Sequence, residues 1–581
     1  MTRQTLVGRS REPVRRATST IRSNPALVIP LLGGLLLVYL VLFPLIMLVL
    51  GSFQEEVAPR QFDLTLRNYA DAYTSRFTYS TFATSAIFAS GAAALSFILG
   101  TALAWLVERT NVPFARLVLP IAVVPLILPG ILEATAWVFL LSPAFGVINV
   151  VLQNVLGLAD PPINIYSLPG MIWVQAVGQT PLAFLMMSAA FKLMDPNLEE
   201  GAQTSGANGL QTFWRVTLPL LRPWAGAVLL LLLVRSLEAF EVPAIIGIPA
   251  RNYVYTSEIY LAFNDFPPNY GLGSALAVGL LVLSTVGVWL YLRAVRNSAR
   301  FATVSGKAFR PRKIDLGRFR WPAFALLILY AMIVVALPLS IIAWASFLPY
   351  FAPPSLDAIG RMSFGNYEYL FGYDPFYVAL RNSIFLAVVS ATVVMFLTAL
   401  ISWLLHKSRL PGMAALEFLA MVPIAIPGLV LGMALIIQYV AFPLPFYGTV
   451  WVLLIAYTTK YLPYGMRNST AATLQIRAEL EEAASMSGST WWQTFRRITL
   501  PLLRPGLAAG WIYIVIVSFR EFSTSILLAT GESTVLSIQV WKLLEFGKTT
   551  AVAALGVLMI LALVTIVAIF YRLSGRVGIQ A

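Results

Sequence analysis

Several charged residues stand inside stretches otherwise apolar enough to cross a bilayer. Arg235, Glu238 and Glu241 fall in one such stretch, Arg520 and Glu521 in another, and Glu133 follows Pro129-Gly130 in a third. Ionisable groups at membrane depth are costly, and they mark solute routes, gates or internal ion pairs. Two readings apply here. These residues line or gate a path, or Arg235 and Glu238, at i,i+3 spacing, merely neutralise each other. Carboxylates at these positions suit a cationic cargo, and a hard ion such as Fe(III) prefers oxygen ligands. The same charges would suit thiamine or a polyamine.

Other chemistries are closed to this chain. It has no cysteine, which excludes disulfides and thiolate clusters, and a single histidine, His406, beside Lys407 and Arg409. No metal site and no catalytic residue is expected. Gly547-Lys548-Thr549 echoes the end of a phosphate-binding loop, but the upstream glycine position holds Lys542, so no nucleotide site or other cofactor is expected in the chain.

The elements that carry these charges are membrane helices. Of 581 residues, 59% are hydrophobic and 11% charged, and the mean hydropathy is +0.79. The stretch from Ala26 to Gly51 contains no charge, and about 20 apolar residues suffice to span a bilayer. Hydropathy predicts an all-α polytopic protein of about twelve spans, near 27–51, 82–105, 117–141, 168–191, 224–247, 274–292, 321–347, 380–405, 414–440, 448–466, 506–529 and 549–571. The net charge of +14 belongs to loops, as the positive-inside pattern requires, and does not indicate nucleic acid. The tail 1–26 holds Arg3, Arg9, Arg11, Arg15, Arg16 and Arg22 against Glu12, and the connector 294–320 has Asp315 as its only acid. Both should face the cytoplasm, with both termini. Between them lie a first half, 27–293, and a second, 321–581.

The halves repeat. Residues 199–223 and 481–505 are identical at 16 of 25 positions at a constant offset of 282 (488 − 206, 501 − 219). Pro129-Gly130 recurs as Pro427-Gly428 at offset 298. Six spans per half give both copies one orientation, a parallel repeat. The repeated loops, 195–223 and 477–505, read as an elbow. Asp195 can cap a helix starting at Pro196, and Gly206 or Gly488 ends it. Asn208 with Gln211, and Thr490 with Gln493, have capping-box spacing for a second short helix. Pro219 and Pro501 should stop that helix. Phe213, Trp214, Trp491, Trp492 and Phe495 would give the elbow an apolar surface for a protein partner or for membrane lipid.

The pattern Glu482-Ala483-Ala484, Gly488, Ile498, Leu500-Pro501, with its first copy Glu200-Gly201-Ala202, Gly206, Val216, Leu218-Pro219, resembles the EAA loop of binding-protein-dependent ABC importer permeases. The resemblance implies a permease that docks a cytoplasmic ATPase dimer through Glu200, Ala202, Gly206, Glu482, Ala483 and Gly488. ATP would be bound by that partner. A periplasmic solute-binding protein would deliver cargo to this inner-membrane, non-enzymatic subunit. The fused layout resembles ferric-iron permeases and, more distantly, thiamine permeases. Phrases such as Leu237-Glu238-Ala239-Phe240-Glu241 and Arg520-Glu521-Phe522 look most like the iron branch. A gradient-driven secondary transporter is the rival class, but it has no reason to repeat a docking elbow. At offset 282 Glu238 aligns with Arg520, which suggests an ion pair across the axis between the halves.

Overall fold

In hydrocarbon a backbone must satisfy its own polar groups, and a chain this apolar does so as helices. The computed structural model describes residues 28–54, 63–126, 128–194, 196–298, 313–407, 412–442, 445–476 and 478–575. The tail 1–26 and residues 299–312 of the connector lie outside them. Among the described residues, β pairing is limited to two isolated bridges.

The first half runs α1 (Leu31–Ser52), α2 (Arg76–Arg109), α3 (Ala115–Val123), α4 (Gly130–Leu141), α5 (Leu168–Leu193), α6 (Pro196–Thr204), α7 (Gly209–Thr212), α8 (Leu218–Leu237), α9 (Tyr255–Asn264) and α10 (Tyr270–Ser298). The second runs α11 (Gly317–Ser346), α12 (Asp374–Lys407), α13 (Met413–Met421), α14 (Gly428–Ala441), α15 (Val450–Leu474), α16 (Ala478–Met486), α17 (Trp491–Thr494), α18 (Leu500–Phe519), α19 (Leu536–Glu545) and α20 (Thr549–Gly575). The copies match in detail. α2 and α12 each have 34 residues, and α8 and α18 each have 20.

Nine helices among the described residues are long and apolar enough to cross a membrane, or ten if one bent pair counts as a single span. The difference from twelve has physical causes. The third expected span is divided into α3 and α4 at Pro129-Gly130. The ninth is divided at Pro427-Gly428, where the chain turns by 109°, because proline cannot continue a helical ladder and the residue before it is driven out of the helical region. The tenth, α15, has the length, 25 residues, but is more polar. The fifth and eleventh spans end early. α8 stops at Leu237 and α18 at Phe519, each followed by a break and then a separate short helical segment, Pro243–Gly247 or Ser525–Leu528, rather than one continuous helix to 247 or 529.

The halves interlock. α1 packs on α14 of the second half, and α11 packs on α4 of the first. One hydrophobic core therefore contains residues of both, from Leu48 to Leu563. Within each half the long second helix lies along the fourth, α2 on α5 and α12 on α15. A small residue permits each approach. Gly100 of α2 abuts Ala183 of α5, and at the equivalent positions Thr398 of α12 abuts Gly465 of α15. The end of the connector is pinned beside the end of α2. Ile314 N–H donates to the Arg109 carbonyl at 2.8 Å, and Asn111 N–H to the Ile314 carbonyl at 3.1 Å. Asp315 accepts from the Gly317 N–H and the Asn111 amide, and these bonds hold its carboxyl below the usual carboxylate range.

Candidate functional site

Two regions of the repeat carry functional groups. The first is the pair of elbows. α6 and α16 end at Gly206 and Gly488, with φ of 90° and 79°. Ala207 N–H donates back to the Ala202 carbonyl at 3.0 Å, and Ser489 N–H to the Ala484 carbonyl at 3.1 Å. This is a left-handed glycine cap closing a helix. The anticipated capping boxes form in both copies. Asn208 N–H donates to Gln211 Oε1 at 3.1 Å, and Gln211 N–H to Asn208 Oδ1 at 2.8 Å. Thr490 N–H donates to Gln493 Oε1 at 2.9 Å, and Gln493 N–H to Thr490 Oγ1 at 3.4 Å. Pro219 and Pro501 do not stop the second helix. Each stands in the first turn of the next one, after a wide turn at Phe213–Thr217 or Phe495–Thr499. There a missing N–H is tolerated, and the extra residue of the π-type turn absorbs the proline ring.

The two glutamates of the first elbow face different ways. Glu199 turns inward. Its Oε1 accepts from Thr217 Oγ1 at 2.6 Å, and its Oε2 lies 3.4 Å from Arg109 Nη1. Arg109 is 2% exposed and also donates to the Phe191 carbonyl at 3.1 Å. Glu200 is exposed, Ala202 half-buried, and Trp214 exposed. In the second elbow Ala483 is exposed and Ala484 buried. The side chains of Glu482, Phe213, Trp491, Trp492 and Phe495, and residue Asp195, lie outside what is described.

The second region is a buried cluster of charges where the broken helices meet. The ends of α8 and α18 set Glu238 and Arg520 as their C-caps. Glu521 is 8% exposed. It accepts from Lys460 Nζ at 2.7 Å, Tyr461 Oη at 2.8 Å and the Thr524 N–H at 2.9 Å. Arg235 Nη2 donates to Tyr464 Oη at 2.6 Å. Glu133, in the first turn of α4, is 6% exposed and its Oε1 has no hydrogen-bond partner among the described residues. Its carboxylate fills the space a Cβ would take on Gly178, and Glu241 fills that of Gly130. The Arg520 guanidinium acts on both Glu133 and Glu241, Arg235 acts on Glu238, and Lys460 acts on Glu238 and Glu241. For Glu238 the foremost cation is Arg235, the i,i+3 alternative read from the sequence. The turns that follow Leu237 and Phe519 set the charges of the two ends against different neighbours.

Between these charges the repeat closes on itself. Phe240 and Phe522 are equivalent at offset 282, both fully buried. Their rings stack with centroids 6.0 Å apart and planes 9° apart. Tyr260 and Trp541 flank them, at 5.1 Å from Phe240 and 6.0 Å from Phe522.

Residues 96–298 and 400–577 each match the family described as binding-protein-dependent transport system inner membrane component. The chain belongs to this family. The permease is similar to the ferric transport system permease protein FbpB of Actinobacillus pleuropneumoniae, with 26% identity over 549 residues, covering 93% of this chain and 77% of that protein. It is similar to the Fe(3+)-transport system permease protein FbpB 2 of Haemophilus influenzae, with 23% identity over 465 residues, 80% of this chain and 84% of that one. It also resembles the trehalose/maltose permease MalF of Thermococcus litoralis, 28% identical over 279 residues, covering 44% of this chain and 93% of that one. Among solved structures, a bacterial ABC transporter involved in alginate import aligns with a TM-score of 0.38 and 19% identity, over 45% of this chain and 98% of that one.

The permease brings Glu133, Glu241 and Arg520 together. It holds Glu521 with Lys460, and Arg235 with Tyr464. Lys460 escaped the sequence reading although it lies within the stretch assigned to the tenth span, where a lone lysine among apolar residues is itself a signal. Arg109 escaped because its partner Glu199 is 90 residues away (199 − 109), and no local pattern links them.

Proposed function

We propose that this permease is the membrane subunit of an ATP-driven importer of ferric iron. The reading rests on one observation above all: two glycine-ended elbows of matched geometry, each presenting exposed EAA-loop residues. An elbow needs a partner that fits it twice, and a cytoplasmic ATPase dimer meets that need. Glu200, Ala202, Gly206, Glu482, Ala483 and Gly488 would form the docking surfaces. The arginines of 1–26 and the basic connector support a cytoplasmic side for the elbows and both termini. A soluble receptor would then deliver cargo to the opposite, periplasmic face. The halves 27–293 and 321–581 would move against each other as the ATPase dimer opens and closes.

Ferric iron as cargo follows from the iron-transport relatives and from the carboxylates Glu133, Glu238, Glu241 and Glu521 near the centre. Arg235, Arg520 and Lys460 would keep the path closed to free cations in the absence of cargo. Another small cation, thiamine among them, is the second reading, favoured by the same carboxylates, which select for charge rather than for one element.

The test is transport by the assembled complex. The permease is reconstituted in proteoliposomes with its ATPase and receptor, and uptake of labelled iron is followed. ATP on the elbow side should be required. Uptake driven by a proton or sodium gradient with no ATPase subunit would overturn the assignment, and ATP-driven uptake of thiamine but not iron would transfer it to the second reading.

A further inference from the structure

The central charges are not shared equally between the halves. At equivalent positions the first half holds Glu241 where the second holds Ser523, and Gly178 where the second holds Lys460. Glu133 has Leu431 as its counterpart at offset 298. The first half thus contributes two buried carboxylates on glycine floors, Glu133 on Gly178 and Glu241 on Gly130. The second half contributes one guanidinium, Arg520, which acts on both. Glu521 and Lys460 also act on Glu241, so three carboxylates stand against two monovalent cations and the group is short of one positive charge. The shortage coincides with unused bonding capacity. Glu133 Oε1 and the Tyr330 hydroxyl have no hydrogen-bond partner among the described residues, and the Glu133 charge acts on Tyr330. One turn along α4, the buried Trp137 Nε1 is also without a partner. Buried polar atoms are ordinarily paired, so these point to a ligand.

We propose that Glu133 and Glu241 form a transit site for a hard, multiply charged cation, and that Arg520 is its tethered substitute, occupying the carboxylates until the cargo displaces it. The inference rests on the import reading above and gives that path a specific station. Oxygen donors from two carboxylates and a phenol match a hard ion. A guanidinium carried by the opposite half is a suitable placeholder. It neutralises the carboxylates when the site is empty, and it moves away from them when the halves separate, because α4 and Glu241 belong to one half and α18 to the other. The glycine floors give the carboxylates room, since a Cβ at Gly130 would lie 1.7 Å from Glu241 Oε2 and one at Gly178 would lie 2.8 Å from Glu133 Oε2.

Terbium(III) tests this on the purified full-length permease, since its emission is sensitised by nearby indole and phenol rings and Trp137 lies one turn from Glu133. Wild type should show sensitised emission that Trp137→Phe dims. Glu133→Gln and Glu241→Gln should each remove it, and Glu133→Asp, which keeps the charge, should retain it. Arg520→Gln should tighten binding by about tenfold, the coupling expected between two competing occupants of one site. Emission unchanged in the Glu133→Gln, Glu241→Gln double variant would overturn the proposal. So would emission lost instead in Asp71→Asn, Asp265→Asn, which changes the separate cleft of about 360 Å³ that also holds Glu258. Iron uptake by the wild-type complex is measured in parallel. Uptake with terbium emission indifferent to both glutamates removes the site and keeps the cargo. Emission that follows the glutamates without iron uptake keeps the site and removes iron.

Discussion

Phe240 and Phe522, equivalent residues of the two halves, lie ring on ring with centroids 6.0 Å apart, both buried from solvent. Equivalent residues can meet in this way only where the repeat axis passes between them. The stack therefore lies on the line along which the halves would part. A closed apolar contact excludes water and ions at little cost in specificity, and it opens by separation rather than by bond breaking.

Truncating either ring should convert the closed contact to a leak. Phe240→Ala or Phe522→Ala is expected to cost about 3–5 kcal/mol of packing. In proteoliposomes without ATP each should raise passive flux of small cations, while Phe240→Leu, which keeps most of the volume, should stay tight. Equal tightness of Phe240→Ala and wild type would show that the seal lies elsewhere.

The elbow glycines should be intolerant of side chains for a backbone reason. A Cβ on Gly206 or Gly488 would meet nothing within 4 Å, so space is not the obstacle. The obstacle is φ of 90° and 79°, a region costing about 1–3 kcal/mol for other residues and most for β-branched ones. Gly488→Val should insert normally but lose ATPase co-purification and uptake, whereas Gly488→Asn should lose less. Intact uptake by Gly488→Val would refute the docking role of this turn.

Lys460 and Glu521 should behave as a pair. Lys460→Met leaves a carboxylate at 8% exposure with only Tyr461 and the Thr524 N–H, a loss typically of about 3–5 kcal/mol. Adding Glu521→Gln removes the stranded charge and should restore much of the thermal stability in detergent. If the two losses simply add in a double-mutant cycle, the 2.7 Å contact contributes nothing.

How far the sequence reveals this depends on the distance over which each feature is determined. The elbows were legible because capping is local. Asn208 and Gln211 find each other three residues apart, and the repeat displays the same arrangement twice. The breaks at Pro129-Gly130 and Pro427-Gly428 are hidden from hydropathy, because apolar residues continue across both and preserve the composition of a single span. The ends of α8 and α18 are hidden too, because apolar residues such as Phe240, Val242 and Ile245 continue past Leu237 and preserve the composition of a span. Arg520 could not be assigned to Glu133 and Glu241 from sequence, since the nearest carboxylate along the chain, Glu521, is taken by Lys460. Phe240 and Phe522 become visible only when the 282-residue offset is combined with the knowledge that those positions meet.

The last prediction separates two adjacent glutamates. Glu199 is tied to Arg109 and Thr217, and Glu200 is exposed beside it. The buried guanidinium binds the carboxylate and the Phe191 carbonyl together, so it joins the first elbow to the ends of α2 and α5. Arg109→Ala should therefore lower thermal stability and uptake together. Arg109→Lys should rescue little, because a single ammonium cannot reproduce the planar fork that reaches both partners. Glu199→Gln should act in the same direction but less, since Arg109 keeps its carbonyl acceptor and Glu199 is only half-buried. Glu200→Ala should leave the stability within about 0.5 kcal/mol of wild type, as for other exposed changes, while weakening ATPase association. Thermal unfolding of the permease alone, set against ATPase co-purification, reads the two effects apart. Equal destabilisation by Glu199→Gln and Glu200→Ala would mean that the elbow makes no such division between an inward anchor and an outward contact.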